Sequence, residues 1–165
     1  MGAGKVLILI GALLTLVSTF FFAFFETASP DVYAYGLGFV LNLPDLFSDA
    51  DPFAVIMGVE VMVVYILAIV YIVFLISGIL QLVGLASRVV AIIGSILPIL
   101  GGVLILLINL EIVDMLSDTA LFWREPIVDG VLPFNLAIGP TSLGTITLLA
   151  GGVLGLAGGI MGTSD

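Results

Sequence analysis

Long apolar runs alternate with polar, proline-bearing stretches along this chain, and the lengths of the runs predict four membrane-spanning helices. Residues 5–25, KVLILIGALLTLVSTFFFAFF, form the first. A second run extends from Ala54 to Leu110 and is interrupted near its middle by GLASRVVAIIG. As a single helix it would reach roughly 85 Å at about 1.5 Å per residue, nearly three times the ~30 Å of a hydrocarbon core. It must therefore fold into two spans, 54–82 and 89–110. Gly84, Ser87 and Arg88 mark the turn, since an arginine at mid-membrane costs about 2.5–3.5 kcal/mol and a turn delivers it to the headgroups. Residues 141–162, TSLGTITLLAGGVLGLAGGIMG, form the fourth span. A cleaved signal peptide is the rival reading of the first, but its apolar stretch is long for one, and cleavage after Ala28 would put Glu26 where a small residue is wanted.

The composition agrees with the pattern. Apolar residues make up 62% of the chain and charged residues 9%, with a mean hydropathy of +1.42, against about half apolar and a quarter charged in soluble domains. The expected fold is an all-α integral membrane protein, one four-helix domain over residues 1–165, because lipid leaves backbone polar groups no partner but the helix itself. Lys5 and Arg88 fall on one side of the four spans and Arg124 on the other, so both termini are expected in the cytoplasm of a cell-membrane protein. Loops 26–53 and 111–140 then lie outside. Glu26, Asp31, Asp45, Asp49 and Asp51 fall in the first loop and Glu111, Asp114, Asp118, Glu125 and Asp129 in the second; Glu60 and Asp165 lie elsewhere. An acidic outer face excludes nucleic acid as a partner and disfavours an anionic lipid surface.

Both loops are too long to be simple turns. In the first, VYAYGLGFVLNL places Tyr33 and Tyr35 at alternate positions, as in a short strand. In the second, EIVDMLSDTALFW extends the third helix or forms an amphipathic helix presenting Ile112, Met115, Leu116 and Trp123. Pro126, Pro133 and Pro140 then break regular structure. Together the loops are expected to form a small acidic cap, a docking surface for a protein or an interfacial aromatic belt drawn from Phe20, Phe21, Phe22, Phe24, Phe25, Tyr33 and Trp123.

Small residues recur every four positions in the fourth span: Thr147, Gly151, Gly155, Gly159 and Thr163, widened by Gly152, Gly158 and Gly162. Such a ridge lets another helix approach to backbone contact. Gly11, Thr15, Thr19 and Ala23 repeat the pattern in the first span, and Gly94, Pro98 and Gly102 line part of the third. Packing of span four on span one closes the bundle; the alternative is that the ridge meets a second protein.

The inventory leaves little chemistry. There is no His, no Cys and a single lysine, which excludes nitrogen or sulfur metal ligation, thiol chemistry and a Ser-His-Asp triad. No enzyme activity and no cofactor are expected. The start MGAGKV lacks the hydroxyl residue that a phosphate loop or a myristoylation signal requires. Asp45, Asp49 and Asp51 in DLFSDAD are weak candidates for a hard cation through carboxylate oxygens, without the glycine and final glutamate of an EF-hand loop. The other candidate ion site is Glu60, placed about six residues inside span two, with Thr19, Asn109 and Thr145 at similar depth.

Two functions compete on this reading. One is a non-catalytic accessory or structural subunit whose partners are other integral membrane proteins, copies of itself and lipids. The other is a small ion or proton channel or transporter using Glu60, although residues 1–83 and 84–165 show no internal repeat. Four spans with inside termini, a short inner hairpin and two outer loops resemble the layout of claudin-like and tetraspan proteins, which implies self-assembly in a membrane. The resemblance is one of topology: the cysteines of both groups and the first-loop tryptophan of claudin-type proteins have no counterpart here. The cysteine-free acidic composition is also similar in style to small archaeal membrane proteins.

Overall fold

The computed structural model describes residues 2–27 and 31–163. Ala28, the cleavage position weighed above, and Asp165 lie outside them. The chain is mostly helical (68%), with four helices long and apolar enough to cross a membrane. In order these are α1 (Ala3–Phe21), the continuous pair α4 (Val61–Leu75) and α5 (Ser77–Val83), α6 (Arg88–Asn109) and α7 (Leu143–Met161). Between them lie β1 (Phe25–Glu26), β2 (Tyr33–Ala34), α2 (Gly36–Ser48) and α3 (Asp51–Met57), then a 3-10 turn (Ser117–Phe122), β3 (Trp123–Arg124), β4 (Ala137–Ile138) and β5 (Thr141–Ser142).

Several expected boundaries shift. The first span ends at Phe21 rather than residue 25, because the chain leaves the helix there: Phe22 pairs with Phe134, and Phe25 and Glu26 pair with Ala34 and Tyr33 of β2. The second span begins at Val61, not at Ala54. Gly58 adopts the left-handed conformation (φ 67°) and terminates α3, the usual role of glycine just past a helix end. The chain then restarts at Glu60, the extended residue that precedes α4. The third helix does not extend beyond Asn109: Glu111 turns left-handed (φ 57°), and the segment after it forms the 3-10 turn. The hairpin falls where the arginine required. Residues 84–87 connect α5 to α6, Arg88 is exposed, and a side chain at Gly84 would lie 2.5 Å from Ala91 Cα.

Glycine decides how the bundle closes. Helix α7 packs most extensively on α1 and next on α6, and α5 packs on α6 and α1. A Cβ at Gly11 would stand 2.6 Å from both Gly151 O and Gly155 N, and one at Gly158 would stand 2.5 Å from Gly4 O. Because positions four apart rotate by about 40° around a 3.6-residue helix, the ridge turns as it descends. Gly151 meets Thr15 and Gly11, Gly155 meets Ser95 and Gln81, and Gly159 meets Ile92 of α6. Helix α7 is thus inlaid between α1 and α6. Ser18 Oγ donates to Thr147 Oγ1 across α1 and α7 at 2.6 Å, and the buried Gln81 donates to Ser95 Oγ at 3.1 Å; such interhelical bonds are each worth about 0.6 kcal/mol in lipid.

The large apolar side chains pack elsewhere. Phe24, Phe39, Leu46, Ala54, Met57, Val64, Ala68, Leu121 and Phe122 form one buried cluster, in a layer built by residues 22–27, 31–60 and 110–142 around α4. Phe122 stacks on Phe39 (centroids 5.1 Å apart) and meets Tyr71 edge-on at 4.7 Å. A three-stranded antiparallel sheet, β1-β2-β3, joins the two loop segments through Tyr33 opposite Arg124 and Ala34 opposite Trp123. We call this the head layer. The stretch expected as a strand is strand only at Tyr33–Ala34, and continues as α2 despite Gly36, Gly38 and Pro44.

Candidate functional site

Asn42, Arg124 and Tyr35 are among the side chains that hold the head layer to itself. Buried Asn42, on α2, donates to Leu121 O (3.0 Å) and Trp123 O (3.1 Å) and accepts from Arg124 Nη1 (2.7 Å). Arg124 also donates to Leu41 O at 3.1 Å and faces Asp45 at 3.7 Å. The buried Tyr35 hydroxyl donates to Glu125 O at 2.8 Å. Burial, partly opposed by the Arg124 charge, pushes the Tyr35 phenol above its ordinary value, and desolvation followed by Glu26, Asp31 and Asp129 does the same at Tyr33.

The weak metal candidates are engaged within the head layer itself. Asp45 pairs with Arg124, and Asp49 Oδ1 accepts the backbone N–H of Asp51 at 3.1 Å. Among the described residues no three acidic groups converge as a metal would require. Glu60 is likewise relocated: it sits exposed at the start of α4 instead of one and a half turns inside the span. Asn109 and Thr145 do meet, but around a different centre. The carbonyl of Phe24, freed where α1 ends, accepts Ser142 Oγ (2.7 Å), Thr145 Oγ1 (3.3 Å) and Asn109 Nδ2 (3.5 Å), and Asn109 also donates to Thr141 Oγ1 at 3.0 Å.

That polar knot borders a cleft of about 670 Å³ at the head end of α6 and α7, whose walls carry Glu26, Glu111, Asp114 and Asn135 and no basic residue. Sequence reasoning placed Asn109 and Thr145 at one depth but assigned them to Glu60; the signal it lacked was the end of α1 at Phe21, which exposes the Phe24 carbonyl. Beside the cleft, and sharing Phe24, Phe25 and Ile108 with it, an apolar groove of about 270 Å³ runs between α4 and α6. The groove exists because α5 lies close along α6 whereas α4 touches it at few points.

One further surface stands out. Leu75 packs near the Thr19 carbonyl, where Gly36 begins α2, and from Thr19 helix α1 has only two residues left. From Leu75 back to Val61, α4 runs roughly 21 Å along its axis at ~1.5 Å per residue, all of it within the candidate span Val61–Val83. Its Met62 (67% exposed), Ile66, Ile69, Val70 and Val73 are all exposed and recur at helical spacing, and Val55 (80% exposed) and Ile56 of α3 are exposed as well.

No family model matches the chain, and no curated protein and no solved structure is significantly similar to it. The fold itself defines a class: a mostly helical chain with four helices suited to membrane insertion.

Proposed function

We propose that this protein is a non-catalytic subunit that works by lateral contact, standing beside another integral membrane protein with the head layer as an extracytoplasmic cap and both termini in the cytoplasm. The observation that carries the reading is the exposed apolar strip of α4, which continues into the exposed Val55 and Ile56 of α3. Lipid accounts for the exposed strips of α1, α6 and α7, whose side chains end with the bundle. It does not account for Val55 and Ile56 of α3, which are exposed although they precede the candidate span that begins at Val61, and exposed apolar area outside a span marks an interaction surface. Charge places Arg88 at the hairpin and Arg124 in the head, which supports the orientation through Lys5 and Arg88 together.

The alternative, ion or proton transport through Glu60, finds less support. Among the described residues the buried polar side chains are hydroxyls and amides, none of them charged, whereas proton and ion paths ordinarily run along ionisable groups.

Because the chain contains no cysteine, a single cysteine at Ile66 can carry a photo-crosslinker in native membranes, with one at Leu13 on the exposed face of α1 as reference. The reading expects a discrete crosslinked protein from position 66 and lipid adducts alone from position 13. Identical products from both sites would defeat it.

A further inference from the structure

The apolar groove between α4 and α6 and the acidic cleft beside it are separate features of the surface, yet they share the walls Phe24, Phe25 and Ile108. The groove is lined almost wholly by carbon, with Tyr71 and Thr119 its only polar residues. It opens sideways between Val70, Leu100 and Leu104, all exposed, and both of its helices belong to candidate spans. Gly101 keeps it open, since a Cβ there would lie 2.6 Å from the Phe74 ring. A slot of this kind, set between two spanning helices, faces hydrocarbon chains. The adjoining cleft supplies the opposite chemistry: the carboxylates of Glu26, Glu111 and Asp114, with no basic residue to neutralise them.

We infer that groove and cleft together bind one lipid of the adjacent leaflet, its apolar chain in the groove and an ammonium-bearing head in the cleft. Charge complementarity selects the head. An anionic head would meet three carboxylates, while an ammonium gains from each, and the side-chain oxygens of Asn109 and Thr141 offer it acceptors. Phe25, half-buried between the two compartments, is the residue such a molecule bends across. The acidic loops thereby acquire a role distinct from solvation, as the selective half of an amphiphile site.

The test uses dodecylammonium, dodecanoate and dodecyl maltoside as probes of one chain length and three head charges. Protein in neutral detergent is doped with each probe, and native mass spectrometry counts what it retains. Two or three partly exposed ion pairs amount to about a tenfold preference for dodecylammonium over dodecanoate. Glu111→Gln with Asp114→Asn, both at exposed positions, is expected to lower that preference severalfold, leaving only the share of Glu26, and to leave dodecyl maltoside uptake unchanged. Leu104→Trp, which fills the groove from its open side, is expected to lower retention of all three while circular dichroism stays that of the wild type. Equal retention of ammonium and carboxylate by the wild type, or a preference undiminished in the double variant, overturns the head assignment. Undiminished uptake by Leu104→Trp overturns the groove.

Discussion

Gly11→Ala and Gly101→Ala add the same methyl group at the same distance from a neighbour, and the structure predicts opposite outcomes. At Gly11 the new Cβ lies 2.6 Å from Gly151 O and Gly155 N; at Gly101 it lies 2.6 Å from Phe74 Cε2. Ordinary contact begins near 3.4 Å, so each site needs a displacement of about 0.8 Å. Backbone faces backbone at Gly11, and no rotamer can absorb the shift. Helices α1 and α7 must separate, loosening the contacts of Gly4 with Gly158 and of Gly151 with Thr15 along the same seam. Overpacking of this kind costs about 1–3 kcal/mol, against a helix-propensity gain of about 0.5–1 kcal/mol for replacing glycine by alanine. The net expectation is a loss on the order of 1–2 kcal/mol. Phe74, by contrast, borders the groove and can turn into it, so Gly101→Ala should be neutral or slightly stabilising. Thermal unfolding in detergent, followed by circular dichroism, measures both. If Gly11→Ala unfolds at or above the temperature of Gly101→Ala, the close backbone seam is not what holds α7 to α1.

Three further outcomes follow from the head layer. Asn42→Leu removes the partner of two backbone carbonyls and of Arg124, at a cost on the order of 2–4 kcal/mol from the orphaned groups; fluorescence of Trp123, the single tryptophan, should report early loosening of the head while bundle helicity persists. The Tyr35 phenol has its folded value raised above the ordinary 10 by burial. Its contribution is therefore complete below pH 10 and is lost as pH rises through the folded value, so head stability should fall in alkali. Tyr35→Phe should flatten that slope, while costing about 1 kcal/mol at neutral pH for the bond to Glu125 O; an alkaline melting series in which the two proteins decline in parallel would contradict this. Glu60→Gln should leave ion flux in proteoliposomes at the wild-type level, because the carboxylate is exposed at the start of α4 and none of the buried polar side chains among the described residues is charged.

The spans were legible because hydropathy alone sets them, and the hairpin because Arg88 leaves a continuous apolar run no other place to fold. The start of α4 was not, since DPFAVIMGVEVMVVY reads as unbroken apolar sequence around Glu60. Gly58 was the available signal, as a glycine just past a helix end. Helix α2 was hidden for a different reason. Gly36, Gly38 and Pro44 each argue against a helix locally, yet Gly38 is needed where Phe122 O comes within 2.7 Å of its Cβ position. Tertiary contact overrides propensity there, and the Asn42 partners lie about eighty residues away in sequence, beyond the reach of any local pattern. The small-residue ridge showed in the sequence as a four-residue repeat, but its rotation from α1 to α6 required coordinates. The cleft and the groove depend on where α1 stops and on how far α4 diverges from α6, neither of which any residue type announces.

Gentle extraction from native membranes, followed by native electrophoresis and mass spectrometry of the species containing this chain, tests lateral association most directly. Co-migration with another integral membrane protein in fixed ratio is expected, abolished when Met62 and Ile66 are both replaced by lysine. Migration as a monomer, or only with copies of itself, would contradict the accessory-subunit reading.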